Sequence, residues 1–461
     1  MASSFGGINT ALTSLYAQKQ GLDITGQNIA NANTPGYTRQ RVNLQAQAGS
    51  IVPAMWSKSD GIGTGVAVTD VQRLRDEFLE SRGRTEHGQN ASLAAQSAAY
   101  SSIEDAFSEP SDTALQAQLH DMWGAWSDVA NNPSQPAARS ALVEQSQTVV
   151  NVLHDGHEAL AGQWTANRTQ LDAYASEVNT TASAVAQLNT TIVQATASGV
   201  TVNELEDQRD LQVMHLAELT GATTSKRPNG AVDVFVGGST LVSQFTTRAI
   251  EVAGASRLED QGADPVMVRW SGTTSAAPPG GTMGAMVDTM TTIIPKLSGQ
   301  LDDVAAKLIN TVNTAQAAAY DQDGNPGAPF FSGTSAADIG VAITDPRKVA
   351  AAATPGGTLD GSAADALADS GSSATGPDKA YQSMIAQLGI SAQASGRRAD
   401  IQNNVTLQVD AARESQSGVN LDEEMTNLLT YQRGYEAAAR VLTTVDSMLD
   451  QLINRTGLVG R

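Results

Sequence analysis

Two histidines in the run HDGHE, residues 154–158, pose the first chemical question of this sequence. A helical zinc hydrolase site needs His-Glu-x-x-His, with the imidazoles four apart on one face and the glutamate between them as general base. Here His154 and His157 are three apart and Glu158 follows both. The template fails, and His157 falls on the apolar seam of a long helix, which makes it a packed helical histidine. DQDGN at 321–325 puts Gly324 at loop position four, where a calcium loop needs glycine at six, so it is a turn and at most a weak ion site. GIGTG at 61–65 lacks the third glycine of a dinucleotide loop and leads into a strand. No Gly-x-Ser-x-Gly elbow occurs. The absence of cysteine removes thiol nucleophiles, thiolate zinc sites and disulfides together. Carboxylates abound, but no spacing isolates a catalytic pair. No catalytic residue, cofactor site or metal site is assigned, and the chain is expected not to be an enzyme.

Charge narrows the partners. With 48 acidic against 28 basic side chains the formal net charge is -20, which argues against nucleic acid and anionic membrane. Arg73, Arg75, Arg82 and Arg84 form the one basic cluster. They are either a solvated face or pair with acids of a neighbouring subunit. Only 16% of residues are charged and 4% aromatic, so helices are expected to pack closely through alanine. The N-terminus has neither the basic start nor the apolar core of a secretory signal, and no stretch is long and apolar enough to span a bilayer. An exported chain of this kind leaves without a cleavable signal.

Such chemistry-poor sequences act through their elements. The first helix reads from about Ser4 to Asn31, with Phe5, Ile8, Leu12, Leu15, Leu22 and Ile29 on a heptad seam broken at Lys19 and Gly26. Leu421, Met425, Leu428, Gln432, Tyr435, Ala439 and Leu442 repeat the pattern near the other end, and Leu449 and Ile453 continue it. Each stripe is too narrow to face water alone, so the two are expected to pack on one another. Residues 36–72 read as an extended β arm containing RVNL, SIVPAM and GVAVTDV. A long rod follows from about Pro136 to Ala197, and a helix with a capping box opens at Asn203 with Glu206 and closes at Gly221. Period two over 222–275 indicates a small antiparallel β domain. Helix returns near 282, with a kink or late start at Pro295. Residues 321–377 are loop-rich, and 378–416 are helical.

The fold class is therefore mainly α with a β-rich insert: terminal coiled-coil helices, a long helical-bundle domain and a small antiparallel β domain. The expected domains are 1–35 with 419–461 as the terminal coiled coil and 36–221 with 280–418 as the helical body. An outer β domain at 222–279, folding by itself, and the excursion at 321–377 complete the division.

The first helix ends in NIANANTPGYTRQRV, residues 28–42. Thr34 is pushed out of the helical region by Pro35, Pro35-Gly36 suits the centre of a type II turn, and Asn31 and Asn33 are placed to cap the helix end. This run, Asn28, Ile29, Ala30, Asn31, Asn33, Thr34, Pro35, Gly36 and Tyr37 included, resembles the signature of the bacterial flagellar axial proteins: rod, hook and hook-associated families. VNLDEEMTNLLTYQRGYEAAARVLTTVDSMLDQLIN at 419–454 resembles their shared C-terminal segment. Thr-Pro-Gly-Tyr, GVAVTDVQRLRDEFLESR at 65–82, YDQDGNPGAPFF at 320–331 and ITDPRKVAAA at 343–352 are similar to the first hook-associated family, at the hook–filament junction.

The resemblance implies a structural subunit that polymerises through its terminal helices. Its partners would be copies of itself in a helical or ring-like layer, the flagellar hook protein, the next hook-associated junction protein, and a cytoplasmic export chaperone on the C-terminal helix. It implies an extracellular place in the flagellum. The alternatives are the hook protein subunit itself, or a cell-wall hydrolase, for which no added catalytic module is found.

Overall fold

The computed structural model describes residues 4–48 and 63–454, with side chains over 6–48 and 63–451. The chain runs as helix α1 (Ser4–Ala30), the hairpin β1 (Gln40–Gln47) and β2 (Gly65–Arg73), then helices α2 (Glu77–Phe107), α3 (Leu115–Asn131), α4 (Pro136–Ala197) and α5 (Asn203–Thr220). An antiparallel meander follows: β3 (Thr223–Lys226), β4 (Val232–Val236), β5 (Ser239–Ser243) and β6 (Thr246–Thr247). A second hairpin pairs β7 (Ile250–Ala253) with β8 (Met267–Trp270). Helices α6 (Gly281–Asp288) and α7 (Ile294–Ala317), the small hairpin β9 (Phe331–Ser332) and β10 (Gly340–Val341), then α8 (Ser362–Ala368), α9 (Pro377–Ser417) and α10 (Leu421–Asn454) complete it.

The spine is α4, 62 residues long and so about 93 Å at 1.5 Å per residue. Leu142, Val149, Leu153, Leu160, Trp164, Leu171, Val178, Val185 and Ile192 recur along it at steps of four and seven, and all are buried. A repeat near 3.5 keeps one face toward its neighbours over the whole length. Trp126 of α3 meets Phe330 at 5.4 Å between ring centres, and Phe330 meets Phe331 edge-on at 4.9 Å, a geometry that the ring quadrupoles favour.

Pro295 acts as expected, by a specific route. A π turn at Thr289–Ile293 precedes it and α7 restarts at Ile294. Proline has no N–H to give the carbonyls one turn back, and the Trp164 indole donates to Met290 O at 3.0 Å instead. The expected capping box at Asn203 is not formed. The cap position is Val202, and Asn203 is the first helical residue, its amide donating to Gln40 Oε1 and Val71 O at 3.0 Å each. A side chain that has long-range partners is not free to cap its own helix. Gly221 closes α5 at φ 65°. Within the β arm, SIVPAM lies outside the described residues, while β1 and β2 pair antiparallel from Gln40↔Arg73 to Gln47↔Gly65.

The β segment is built on α4. Val234, Val236, Leu241, Val242, Ile250 and Trp270 share one continuous core with Val178 and Val185 of that helix. Two asparagines of α4 pin the strands. Asn179 donates to Ile250 O and accepts from Ile250 N, both at 2.8 Å. Asn189, fully buried, donates to Val232 O and Gln244 O at 2.8 Å and accepts from Val232 N at 3.0 Å. The expectation of a β domain that folds by itself thus meets a segment whose inner face is part of the body's core.

Asn189→Ala is expected to strand these buried backbone groups. At about 1–3 kcal/mol for an unsatisfied buried polar group, urea unfolding of the full chain should show a loss on the order of 3 kcal/mol. A change below 0.5 kcal/mol would show that the pins are dispensable.

Candidate functional site

The two chain ends meet as an antiparallel helix pair. Gly7 faces Val445, Gly21 faces Tyr431 and Asn28 faces Glu424. Small residues set the contact line: a Cβ at Gly21 would fall 2.6 Å from the Tyr431 ring, and one at Gly434 would fall 2.8 Å from the Gln18 side chain. Ala11, Ala17, Thr25 and Asn28 of α1 are buried, as are Glu424 and Ala438 of α10.

The heptad residues lie beside this line more than on it. Ile8, Leu15, Leu22, Ile29, Leu428, Leu442 and Leu449 are half-buried, whereas Leu12, Leu421, Met425 and Tyr435 are 41%, 50%, 50% and 40% exposed. The Phe5 and Ile453 side chains lie outside the described residues. Within one chain, therefore, Leu12, Leu421, Met425 and Tyr435 leave much of their surface uncovered by the α1–α10 pairing. Glycine and alanine let the two backbones approach closely, and periodicity counted on large apolar residues misses such a line.

The stretch after α1 is a turn with a buried anchor. Tyr37 N donates to Thr34 O at 3.1 Å and Gly36 has φ 79°, the signature of a type II turn with Pro35 and Gly36 at its centre. Asn31 Nδ2 donates back to Gln27 O at 3.0 Å and Thr34 Oγ1 to Asn31 Oδ1 at 3.1 Å. Asn31 alone caps; Asn33 is exposed, as are Ala30, Thr34 and Pro35. The anchor is Asn28. Its amide nitrogen donates to Gln40 O at 2.9 Å and Glu424 Oε2 at 3.0 Å. Its oxygen accepts from Tyr37 Oη at 2.8 Å and Gln40 N at 3.0 Å. One carboxamide thereby uses both donors and both lone pairs to join α1, the turn, β1 and α10. Burial, with Glu204, Asp207 and Glu424 nearby, pushes the Tyr37 phenol far above its ordinary range and keeps it a donor.

Charged groups extend this node. Arg39 pairs with Glu424 at 2.6 Å and Glu423 at 2.8 Å, and its N–H donates to Ser417 O at 2.9 Å. Thr38 N donates to Asp207 Oδ2 at 3.0 Å. Arg73, buried, holds Glu206 and Asp207 at 2.7 Å and Asp210 at 2.9 Å. Burial alone would lower the Arg73 pKa; Asp210, Glu206 and Asp207 outweigh it and hold it above its usual value. Arg75 pairs with Glu80 and Asp210, and Arg82 makes a local contact with Glu86. Arg73 and Arg75, placed from sequence either in solvent or against a neighbouring subunit, are thus satisfied inside their own chain. Arg39, Gln40, Asp207 and Glu424 were not singled out from sequence. For Arg39, Gln40 and Glu424 the one signal is the complementary charge of TRQR and DEEM; Asp207 has none.

The metal-like patterns have their own occupants. His157 Nε2 lies 3.5 Å from Glu259, and no group of metal-binding side chains occurs among the described residues. In the DQDGN loop the Lys348 ammonium sits 3.2 Å from both Asp321 and Asp323, and Arg347 also pairs with Asp323. The loop's cation is supplied by the chain. His87 of α2 joins two helices: Nδ1 is 3.1 Å from Glu218 of α5 and Nε2 is 3.0 Å from Asp410 of α9. A neutral imidazole has one donor, so serving both carboxylates requires the imidazolium. Glu218, against burial and with Asp410, raises the His87 pKa.

Comparison with known proteins gives three family matches. The model of the flagellar hook-associated protein FlgK helical domain matches residues 100–331. That of the flagella basal body rod protein matches 8–38, and that of the flagellar basal body rod FlgEFG protein C-terminal region matches 412–455. Flagellar hook-associated protein 1 of Bacillus subtilis (strain 168) is 28% identical, covering 100% of both chains. Its Escherichia coli (strain K12) counterpart is 26% identical over 97% of this chain and 99% of its own. The solved flagellar hook junction protein FlgK from Burkholderia pseudomallei has a TM-score of 0.64 at 15% identity, covering 73% of this chain and 100% of that one, and so shares the fold.

Asn28→Ala should leave Gln40, Tyr37 and Glu424 without their shared partner and loosen the chain ends by about 2–4 kcal/mol. Hydrogen exchange should rise in α1, β1 and α10 while residues 100–331 stay protected; unchanged exchange at the ends would refute the anchor. The His87 clamp gives a pH test. A raised folded pKa means its stabilisation is complete below the ordinary histidine value of 6.5 and is lost as pH rises through the folded value. Glu218, lowered chiefly by His87, loses its share as pH falls through its own depressed value. His87→Gln should therefore flatten the alkaline decline in melting temperature, and an unaltered pH profile would exclude the clamp.

Proposed function

Because this chain belongs to the family of the flagellar hook-associated protein FlgK, whose helical-domain model spans half of it, we propose that it forms the layer joining hook to filament. It is a structural component of the bacterial flagellum, and its family is not one of enzymes. In this proposal α1 and α10 polymerise as the inner wall, the helical body surrounds them, and the β-rich segment lies farthest out. The layer stands outside the cell, between the hook protein and the next junction protein.

The observation that carries this is the unpartnered apolar face of the terminal pair. Once α1 and α10 have packed through glycine and alanine, Leu12, Tyr16, Leu421, Met425, Leu429, Tyr435, Val441 and Met448 remain exposed on the two helices. On α10, Leu421, Met425 and Tyr435 share one side of the helix and Val441 and Met448 the other, so apolar surface flanks the contact with α1 on both sides, an arrangement that suits further helices. Before assembly the same stripe on α10 is the natural seat for an export chaperone. The hook-subunit alternative has less support: the rod models match only the two ends, which axial proteins hold in common, whereas the hook-associated model takes the body.

Met425→Asp places a charge in the stripe but not in the subunit's own core. The purified subunit should keep its stability within about 0.5 kcal/mol, the usual range for a surface change. Junction assembly on isolated hooks and affinity for the chaperone should both collapse. A large drop in melting temperature with normal junctions would overturn the proposal, since the stripe would then belong to the subunit interior.

A further inference from the structure

Arg84 stands apart from the other arginines of its cluster. It borders two clefts, one of about 450 Å3 and one of about 350 Å3. The first is of mixed charge, with Arg75, Arg209 and Lys226 facing Asp70, Glu77 and Glu206. The second lies where the Tyr37 turn meets α2, α5 and α9, with Arg413, Asp410 and Glu414 on its wall. Among the described residues no carboxylate pairs with the half-buried Arg84. The two acids whose charges act on it are taken: Asp210 by Arg73 and Arg75, Glu80 by Arg75 and Arg413. Burial pulls the Arg84 pKa down; Asp210 opposes this most, with Glu80 behind it, while Arg75 and Arg413 add to the lowering.

A second guanidinium in the same wall is incompletely satisfied. Arg209 is 1% exposed; its Nη1 donates to Asn189 and Gly230 and its Nη2 lies 3.6 Å from Glu206, but its buried Nε has no acceptor among the described residues. An unpaired, partly desolvated guanidinium is costly where it stands, and it matches a carboxylate in both shape and charge.

We infer that Arg84 receives a carboxylate from the next copy of this chain in the assembled layer, an inference that rests on the assembly proposed above. The cleft opens beside the turn that joins the terminal pair to the body, so a neighbour seated on the pair lies next to it. A chain of net charge -20 brings acids to any such neighbour. Arginine, not lysine, suits the site because the planar fork holds a carboxylate by two hydrogen bonds.

Two variants of the full chain test this on junctions assembled on isolated hooks. Arg84→Gln should melt at or slightly above the wild-type temperature, because a partly desolvated charge without an ion-pair partner is removed. Its assembly should weaken at least tenfold and lose part of its salt sensitivity. Arg84→Lys is used with a water-soluble carbodiimide, which activates a carboxylate for attack by an adjacent amine; an amide forms and the reagent leaves as its urea. Assembled junctions should yield a covalent dimer, with the bond mapped between position 84 and an aspartate or glutamate of another copy. Dissociated subunits should yield none. Wild-type assembly by Arg84→Gln, or a bond confined to acids of the same chain, would overturn the inference. Partial restoration of subunit stability by inorganic phosphate, with assembly unchanged, would show a small-anion site and overturn it equally. Failure of the unmodified chain to build junctions would defeat the assembly proposal itself, and this inference with it.

Discussion

One carboxamide holds the two ends of this chain to its body. Asn28 spends every hydrogen-bonding group it has, on the backbone of β1, on Tyr37 and on Glu424. In a buried site each of those partners would be costly to leave alone, so the angle between terminal pair and arm follows from one side chain. Aspartate would offer no donors, and glutamine would move the head group by a methylene. The odd end of the first helix is thereby explained: Pro35 and Gly36 fold the chain back so that Tyr37 and Gln40 can reach the asparagine they have just passed.

Around this neutral centre the charges are graded. Arg39, Arg73 and Arg75 neutralise acids from α2, α5 and α10 where the elements converge. Each pair has its carboxylate from a different element than its arginine, so the network reports on correct docking more than on local helix formation. Removing a single partner from such a set leaves a buried charge, a larger penalty than the worth of any one pair. An acidic chain with few aromatics can hold a long, thin shape this way, with packing on α4 supplying the bulk of the stability and the ion pairs fixing the joints.

Much of this was legible in the residues. The limits of α4 followed from Pro136, a heptad run and Gly199, because a helix buried on one face over many turns must repeat its apolar positions. The strands β4, β5, β7 and β8 followed from alternation and PNG-type turns, while the polar β3 and the two-residue β6 did not, and Pro35-Gly36 declared its turn. The contact line of α1 and α10 was hidden, since Gly21, Ala17 and Gly434 carry no apolar signal, and the large residues that do carry one are half-buried beside it or exposed. Asn28 was visible as part of a motif but not as a hub, because its partner Glu424 is 396 residues away. The β segment's dependence on α4 was equally hidden: Asn179 and Asn189 look like any polar residue on a helix until the strands that they hold are in place. The fate of Arg73 and Arg75 also turned on acids brought in by other elements, which spacing along the chain does not encode.

The antiparallel pairing of first and last helix also sets an order of events in folding. Closing an unstructured loop of the 396 residues between Asn28 and Glu424 would cost about 5 kcal/mol in chain entropy, and contacts of such separation form slowly. Folding of the body first removes most of that cost, because α2 and α9 run side by side and the Arg39 amide is already set against Ser417 O. α1, made first, therefore waits with its glycine and alanine face uncovered until the final forty residues exist. A truncated or half-emerged chain can build a sound body and still lack the paired ends. The terminal pair thus closes only after both of its helices have been made.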